Sequence, residues 1–106
     1  MATSTHVLAY IEQSALKAGV ATSSLPLLEK ISYCESGLNP EAVNINKNQT
    51  EDFGPLQVND SHKNEMEALG MNYNSWQDTV DFAILLFQKQ GTKPWNSSKS
   101  CWSTDD

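Results

Sequence analysis

The sequence predicts a single α+β domain, residues 1–106, that is mostly α-helical and carries one small β-hairpin. Apolar residues recur at helical spacing in the first third of the chain and again around residue 80. Between these stretches, residues 43–58 change to short alternating runs broken by Gly and Pro, a pattern typical of strands and turns. A chain of 106 residues with 39% hydrophobic residues fits one globular unit, and we find no repeat, linker or low-complexity segment.

The first helix is predicted over residues 4–19. A Ser or Thr among residues 3–5 can cap its start, and Gly19 ends it because glycine readily adopts the left-handed conformation. Its apolar residues fall on one stripe and therefore predict its buried face. They are Val7, Leu8, Ile11, Ala15 and Leu16.

A second helix is predicted to begin at Ser23 or Ser24, either of which can cap it. Pro26 is tolerated in the first turn, and Gly37 followed by Pro40 ends the helix. Its apolar positions again follow helical spacing, so this helix should also pack against the core. They are Leu27, Leu28, Ile31 and Cys34.

Glu35 falls on the apolar face of this second helix, four residues after Ile31 and close to the helix end. Burial without a cationic partner raises the pKa of a carboxyl group, because it disfavours the ion, and this keeps a general acid protonated near neutrality. The alternative interpretation is a Glu in the last turn whose side chain rotates out to solvent.

The hairpin is predicted from two short apolar runs on either side of a polar turn. Val43 and Ile45 alternate with asparagines in the first run, and Phe53, Leu56 and Val58 form the second, which Gly54-Pro55 confines to an edge or a bend. A hairpin directly after the second helix can form the opposite wall of a cleft. The polar residues that this wall supplies are Asn44, Asn46, Glu51, Asp52, Gln57 and Asn59.

Two further helices are predicted in the second half of the chain. Residues 61–69 form a short one that buries Met66 and Leu69, and residues 71–74 form a turn. Ser75 then caps a helix that is apolar over most of its circumference and ends at Gly91 and Pro94, which places it at the centre of the domain. Its apolar residues are Val80, Phe82, Ala83, Ile84, Leu85, Leu86 and Phe87.

The stretch ESGLNPEAVN followed by EDFGPLQVN resembles the lysozyme and lytic transglycosylase superfamily. That family places a catalytic Glu before Ser at a helix end, then an Asn-Pro-x-Ala stretch and a Gly-x-x-Gln-(Ile/Val)-Asn signature. The resemblance covers about a quarter of the chain and implies a lysozyme-like fold. The matching residues are Glu35, Ser36, Asn39, Pro40, Ala42, Asn44, Asp52, Gly54, Gln57 and Asn59.

The resemblance implies that this protein cleaves peptidoglycan at the β-1,4 bond between N-acetylmuramic acid and N-acetylglucosamine, without a cofactor. Glu35 becomes the general acid and Asp52 the second carboxylate, with Glu51 beside it as the alternative. Alternation along a strand allows at most one of these two acids to face Glu35. Related enzymes carry an aromatic residue near the Glu, and Trp95 is therefore expected to cover Glu35. The expected substrate-binding residues are Asn44, Asn46, Gln57, Asn59 and Trp95.

Two chemistries remain open within this class. Hydrolysis requires a second carboxylate about 5 Å away for retention, or about 6.5–9.5 Å away for inversion. In a lytic transglycosylase, Glu35 acts as acid and then as base while the substrate's own 6-hydroxyl closes an anhydro ring, so no second carboxylate is needed. Gly37, Pro40 and Pro55 resemble the bacterial pattern and favour the anhydro product. A different hypothesis is a non-catalytic glycan-binding or regulatory module on the same fold.

The two cysteines, Cys34 and Cys101, allow either a disulfide or two buried thiols. A bridge would close a loop of about 66 residues, for which the chain-entropy model gives about 4 kcal/mol, and it needs an oxidising compartment. A cysteine peptidase using Cys34 and His62 is a weaker hypothesis because nothing orients the pair. The cysteines and the two histidines show no metal-ligand spacing.

The formal net charge of −6, from seven Lys, no Arg and thirteen acids, argues against a nucleic-acid partner. The expected partner is the glycan strand of peptidoglycan, bound by a monomer. No run reaches the length of a membrane span, and MATSTHVLAY lacks the features of a signal peptide. We therefore expect an extracellular, periplasmic or cell-wall-facing protein that is an excised domain, a phage product or a chain whose leader has been removed.

Overall fold

The computed structural model describes residues 2–103, most of which lie in helices, with a small antiparallel sheet after the second helix along the chain. The α+β, mostly helical class predicted from the sequence is therefore confirmed. The α-helices are α1 (Ser4–Ala18), α2 (Leu25–Ser36), α3 (Lys63–Ala68), α4 (Trp76–Gln90) and α5 (Lys99–Trp102). The strands are β1 (Val43–Ile45), β2 (Glu51–Phe53) and β3 (Val58–Asn59), and 3₁₀ helices cover Thr22–Ser24, Asp60–His62 and Lys93–Ser98.

Helix α1 begins as predicted, with Thr3 as its cap. The Thr3 hydroxyl accepts a hydrogen bond from the His6 backbone N–H, and Nδ1 of His6 accepts one from the Thr3 backbone N–H. Gly19 ends the helix with a φ of 88°. Leu16, which was expected in the buried stripe, is exposed, because it lies about 100° around the helix from the fully buried Ala15.

Helix α2 ends at the predicted place, but its start differs from the prediction. Gly37 adopts a φ of 65° and closes the helix directly after Ser36. Neither predicted serine caps α2 with its side chain, because the 3₁₀ helix at Thr22–Ser24 runs straight into it and leaves Ser24 with a helical backbone.

Helix α4 buries seven of its 15 residues. Its cap is Ser75, whose hydroxyl accepts a hydrogen bond from the Asp78 backbone N–H. It packs against α1, where Tyr10 and Ser14 both donate hydrogen bonds to the carboxylate of Asp81. The buried residues of α4 are Trp76, Thr79, Val80, Phe82, Ala83, Ile84 and Leu86.

The sheet has three strands in the order β1-β2-β3, and not the two of a simple hairpin. The predicted return run is divided because Gly54, with a φ of 92°, and Gln57, with a φ of 55°, turn the backbone between β2 and β3. A Cβ atom at position 54 would collide with the Thr79 hydroxyl of α4, so this position requires glycine. The sheet therefore packs closely on α4 at this turn.

Tyr73 holds the sheet from a segment that was predicted only as a turn. Its ring is buried against Phe53, with ring centroids 5.7 Å apart. Its hydroxyl donates to the carbonyl of Val58 at 3.0 Å and lies 3.3 Å from the carbonyl of Glu51. Residues 71–75 carry no helical or strand period, so no sequence pattern predicted this contact.

Three apolar residues of the predicted hairpin and of the short third helix are exposed, and the predicted burial of Leu69 is wrong. Val43 and Ile45 of β1 are exposed, Ile45 by 68%, and β1 is an edge strand of the sheet. Leu69 is 54% exposed because α3 ends at Ala68 and Leu69 follows as its C-cap, whereas Met66 is fully buried as predicted.

The segment after α4 returns to the end of α2. Of the two alternatives for the cysteines, the structure has the disulfide, with Cys34 and Cys101 Cα atoms 6.0 Å apart. Trp95 and Trp102 are both buried and belong to the core cluster. Among residues 2–103, none of the helices has both the length and the apolar character needed to cross a membrane.

Candidate active site

A cleft of about 280 Å³ lies between the end of α2, the sheet and the segment that follows α4. It contains both carboxylates that the resemblance singled out, Glu35 and Asp52. Its other lining residues are Leu56, Gln57, Val58, Asn59, His62, Leu86, Gln90, Pro94, Trp95 and Ser97.

Glu35 reaches this cleft from the last turn of α2. Its side chain is half-buried, so the solvent alternative is not what the structure has. Burial raises the pKa of Glu35 above its ordinary value of 4.5, the hydrogen bond from Ser98 lowers the pKa, and the charge of Asp52 raises it further. The net shift is upward, which is the direction that a general acid requires.

Ser98 is the residue in contact with Glu35 that the sequence interpretation missed. Its hydroxyl donates a hydrogen bond to Oε2 of Glu35. The Ser98 hydroxyl oxygen also accepts a hydrogen bond from Nε1 of Trp102 at 3.0 Å and lies 3.2 Å from the carbonyl oxygen of Trp95. The Ser98–Trp102 spacing of four residues on a helical segment was the only signal available.

Ser32 and Ser36 of α2 fix the end of this helix against the turn between β2 and β3. Both hydroxyls donate to the carbonyl oxygen of Pro55, at 2.9 and 2.8 Å. The Ser36 hydroxyl also lies 3.1 Å from the carbonyl oxygen of Ser32. The serine after Glu35 in the motif therefore has a structural role: it holds the helix that carries Glu35 to the turn that lines the cleft.

Asp52, and not Glu51, faces the cleft from the sheet. The register places Asn44, Asp52 and Asn59 side by side across the three strands, so their side chains share one face. Nδ2 of Asn59 donates to Oδ1 of Asp52 at 2.7 Å. Glu51 alternates to the other face and does not line the cleft.

Asn59 is held in one orientation by its neighbours. Its Oδ1 accepts a hydrogen bond from the Ser61 backbone N–H at 3.1 Å, which leaves Nδ2 to face Asp52 and Thr50. Asn59 therefore lines the cleft as predicted, but its side-chain groups already have protein partners.

Three side chains that are expected to bind substrate have hydrogen-bond partners within the sheet and its turns. Nε2 of Gln57 donates to the carbonyls of Ala42 and Gly54, and Oε1 of Gln57 accepts a hydrogen bond from Nδ2 of Asn44. Nδ2 of Asn46 donates to the Thr50 hydroxyl across the turn. Gln57 still lines the cleft, whereas Asn44 and Asn46 do not.

Trp95 lines the cleft together with Glu35 and is only 3% exposed. Its Nε1 donates to the carbonyl oxygen of Leu56 at 2.8 Å, which ties the segment after α4 to the sheet side of the cleft. The indole therefore contributes apolar surface on the Glu35 side of the cleft, and its N–H has a hydrogen-bond partner.

His62 is a cleft residue that the sequence interpretation considered only as a peptidase partner. Its ring packs on Phe82, with centroids 5.1 Å apart, and Nδ1 lies 3.3 Å from a carboxylate oxygen of Glu65. Because Cys34 is in a disulfide, a Cys34–His62 nucleophile pair is not available in this structure. Within residues 2–103, no three His, Cys, Asp or Glu side chains form a group that could hold a metal ion.

Comparison with known proteins gives a local similarity. The chain is 43% identical over 44 residues to Protein IpgF of Shigella flexneri and, to the same extent, to Protein IpgF of Shigella sonnei. The match covers 42% of this chain and 29% of each relative, so the chain matches less than a third of the length of these curated relatives. No family model matches the chain.

Proposed function

We propose that this protein is a lysozyme-like, peptidoglycan-cleaving glycosidase that acts on the β-1,4 bond between N-acetylmuramic acid and N-acetylglucosamine. The observation that carries the proposal is one cleft with two carboxyl groups on different walls, one of them with a raised pKa. Glycosidases commonly use two carboxyl groups in this way, one as an acid and one as a charged group. The residues shared with the lysozyme and lytic transglycosylase motifs supply the substrate class.

In the proposed reaction, Glu35 gives its proton to the glycosidic oxygen as the bond from that oxygen to the muramic acid C1 breaks. The leaving sugar departs with a free hydroxyl, and positive charge develops at C1. The Glu35 carboxylate then takes a proton from the attacking hydroxyl, which restores the acid form. In this proposal Asp52, which lines the same cleft as Glu35, stabilises the developing positive charge.

The attacking hydroxyl distinguishes the two chemistries. Water leaves a reducing N-acetylmuramic acid end, whereas the 6-hydroxyl of the same sugar leaves a 1,6-anhydro end that is lighter by one water. We expect the anhydro end, on the resemblance of Gly37, Pro40 and Pro55 to the bacterial pattern.

The proposed setting is outside the cytoplasm, facing the cell wall. The Cys34–Cys101 disulfide supports this, because such bonds persist in oxidising compartments. The proposed partner is the glycan strand itself.

The test is to digest purified peptidoglycan with the protein and to determine the masses of the released muropeptides. Release of muropeptides with a muramic acid end, in either the reducing or the anhydro form, supports the proposal. Products cut on the other side of the sugar, or only at peptide bonds, contradict it. A protein that binds the wall and leaves the suspension turbid is the non-catalytic module instead.

A further inference from the structure

The Ser98 hydroxyl lies among three polar atoms with different hydrogen-bonding abilities. It contacts Oε2 of Glu35, Nε1 of Trp102 and the carbonyl oxygen of Trp95. A serine hydroxyl has one hydrogen to donate and two lone pairs that can accept. Which of these three contacts uses the hydrogen depends on whether Glu35 carries a proton.

Two of the three partners have fixed roles. The indole N–H of Trp102 can only donate; it occupies one lone pair of the Ser98 oxygen at 3.0 Å and also lies 3.2 Å from the carbonyl oxygen of Trp95. The carbonyl oxygen of Trp95 can only accept. One hydrogen and one lone pair of Ser98 therefore remain to be divided between Glu35 and the Trp95 carbonyl.

The Ser98 hydrogen and the remaining lone pair can be assigned in two ways, one for each protonation state of Glu35. When Glu35 is ionised, the Ser98 hydroxyl donates to its carboxylate. When Glu35 is protonated, the carboxylic acid donates to the free lone pair of Ser98, and the Ser98 hydrogen turns to the Trp95 carbonyl, 3.2 Å away. When Glu35 is ionised, the Trp95 carbonyl still has the Trp102 N–H 3.2 Å away, so each group of this cluster has a partner in both arrangements.

We infer that Ser98 is a positioning residue that holds the Glu35 carboxyl in one place through both halves of a proton-transfer cycle, by exchanging the roles of donor and acceptor. The inference rests on the proposed function, in which Glu35 first gives a proton and then takes one. Ser98 forms and breaks no covalent bond: only the direction of its O–H bond changes, and the proton itself passes between Glu35 and the substrate.

The fold fixes both partners of this contact. The Cys34–Cys101 disulfide joins the residue before Glu35 to the residue three positions after Ser98, so the two chain segments are tied together beside the hydrogen bond. Trp95 and Trp102, which flank the Ser98 hydroxyl, are 3% and 5% exposed. The titratable groups that share the cleft with Glu35 are Asp52 and His62.

The experiment compares Ser98→Ala, Ser98→Thr and the control Ser100→Ala, an exposed serine on α5 outside the cleft. Steady-state cleavage of soluble peptidoglycan fragments is measured against pH. We expect Ser98→Ala to lower kcat by about tenfold or more with KM changed little, since a hydrogen bond to a charged group is lost. Ser98→Thr keeps the hydroxyl and should stay within a few-fold of wild type.

The pH profile and the Glu35 pKa give the readouts that a merely structural serine would not change. Because the hydrogen bond from Ser98 lowers the Glu35 pKa, Ser98→Ala should move the high-pH limb of activity to higher pH. Carboxyl ¹³C NMR on Ser98→Ala should show the same upward shift of the Glu35 pKa. Trp102→Phe, which keeps the ring and removes the N–H, should lower kcat less than Ser98→Ala and serves if Ser98→Ala fails to fold.

The outcomes separate this inference from the proposed function. If Glu35→Gln is inactive while Ser98→Ala and Trp102→Phe match Ser100→Ala in kcat, pH profile and Glu35 pKa, the inference about Ser98 is wrong and the function stands. If wild type releases no muropeptides, the proposed function fails, and the NMR titration still tests the contact itself: an unchanged Glu35 pKa in Ser98→Ala contradicts it.

Discussion

The two carboxyl groups of the cleft have similar chemistry and different surroundings. Glu35 lies in the last turn of α2, is half-buried and has a hydroxyl as its polar partner. Asp52 lies on a three-residue strand and has the amide N–H of Asn59 as its partner. A hydroxyl can donate or accept, whereas an amide N–H can only donate. The contact at Glu35 is therefore compatible with the carboxylic acid and the carboxylate, and the contact at Asp52 requires an acceptor.

The two sides also differ in how they are held. The acid's side is joined by a covalent bond one residue from Glu35 and by the serine contacts to Pro55. The sheet side is held by hydrogen bonds among amide side chains and by the hydroxyl of Tyr73. Group chemistry alone therefore does not decide the role of a carboxyl group; the type of hydrogen-bond partner and the burial around it do.

The largest expected effect is at Glu35. Glu35→Gln keeps the shape of the side chain but can neither give nor take the required proton, so activity should fall by about 10² to 10⁴-fold. Muropeptide release from purified walls measures it, with Glu29→Gln on the same helix as the control. If Glu35→Gln keeps activity within a few-fold of wild type, the proposed catalytic role of Glu35 is wrong, and so is the proposed difference in role between Glu35 and Asp52.

The next largest effect concerns the Cys34–Cys101 disulfide beside Glu35. Replacing both Cys34 and Cys101 with Ala should lower the free energy of unfolding by about 4 kcal/mol, since the bridge closes a long loop. For a domain of this size that corresponds to a fall in Tm of roughly 15 °C or more. Thermal unfolding with and without a reductant measures it, and the double variant should not respond to the reductant. Two alkylatable thiols in fresh, non-reduced wild type would contradict the prediction.

Asp52→Asn should have a smaller effect than Glu35→Gln. The Asn oxygen can still accept the hydrogen bond from Asn59, so what is lost is the charge, and we expect about a tenfold fall in activity with the anhydro end as the main product. The control is Glu51→Gln, because the Glu51 side chain lies on the other face of the same strand. If Asp52→Asn lowers activity as much as Glu35→Gln does, and the wild-type products carry reducing ends, Asp52 takes a direct part in hydrolysis instead.

The smallest effect is on stability as a function of pH. Because folding raises the pKa of Glu35, its contribution to stability is full below the ordinary value of 4.5 and is lost as the pH rises through the folded-state pKa. Glu35→Gln removes this loss, so the variant should gain stability relative to wild type as the pH rises above about 4.5. Urea unfolding of both proteins across that range measures it. A constant difference at every pH would mean that the folded and unfolded pKa values are equal.

The elements with strong hydrophobic periodicity could be predicted from the sequence. Helix α4 and the end of α2, with Gly37 directly after Glu35-Ser36, follow from local pattern and capping chemistry. Alternation along β2 allowed only one of Glu51 and Asp52 to face Glu35, and the register selects Asp52. These features depend on residues close together in the chain.

The features that could not be predicted depend on contacts between distant residues. The Ser98–Glu35 hydrogen bond joins positions 63 residues apart, and the sequence around a single serine does not predict such a contact. Gln57 and Asn44 belong to a recognisable motif, yet their amides bond to each other and to the backbone of the turn. A motif identifies such residues without telling whether they face the substrate or support those that do.

The long separation between Glu35 and its partners has a consequence for the order in which the site is made. During synthesis, Glu35 leaves the ribosome long before Ser98, Cys101 and Trp102, which complete its surroundings. The Cys34–Cys101 bond further waits for an oxidant. Under the proposed function this order is protective: the nascent chain lacks the complete surroundings of Glu35, and the disulfide beside Glu35 forms only where thiols are oxidised.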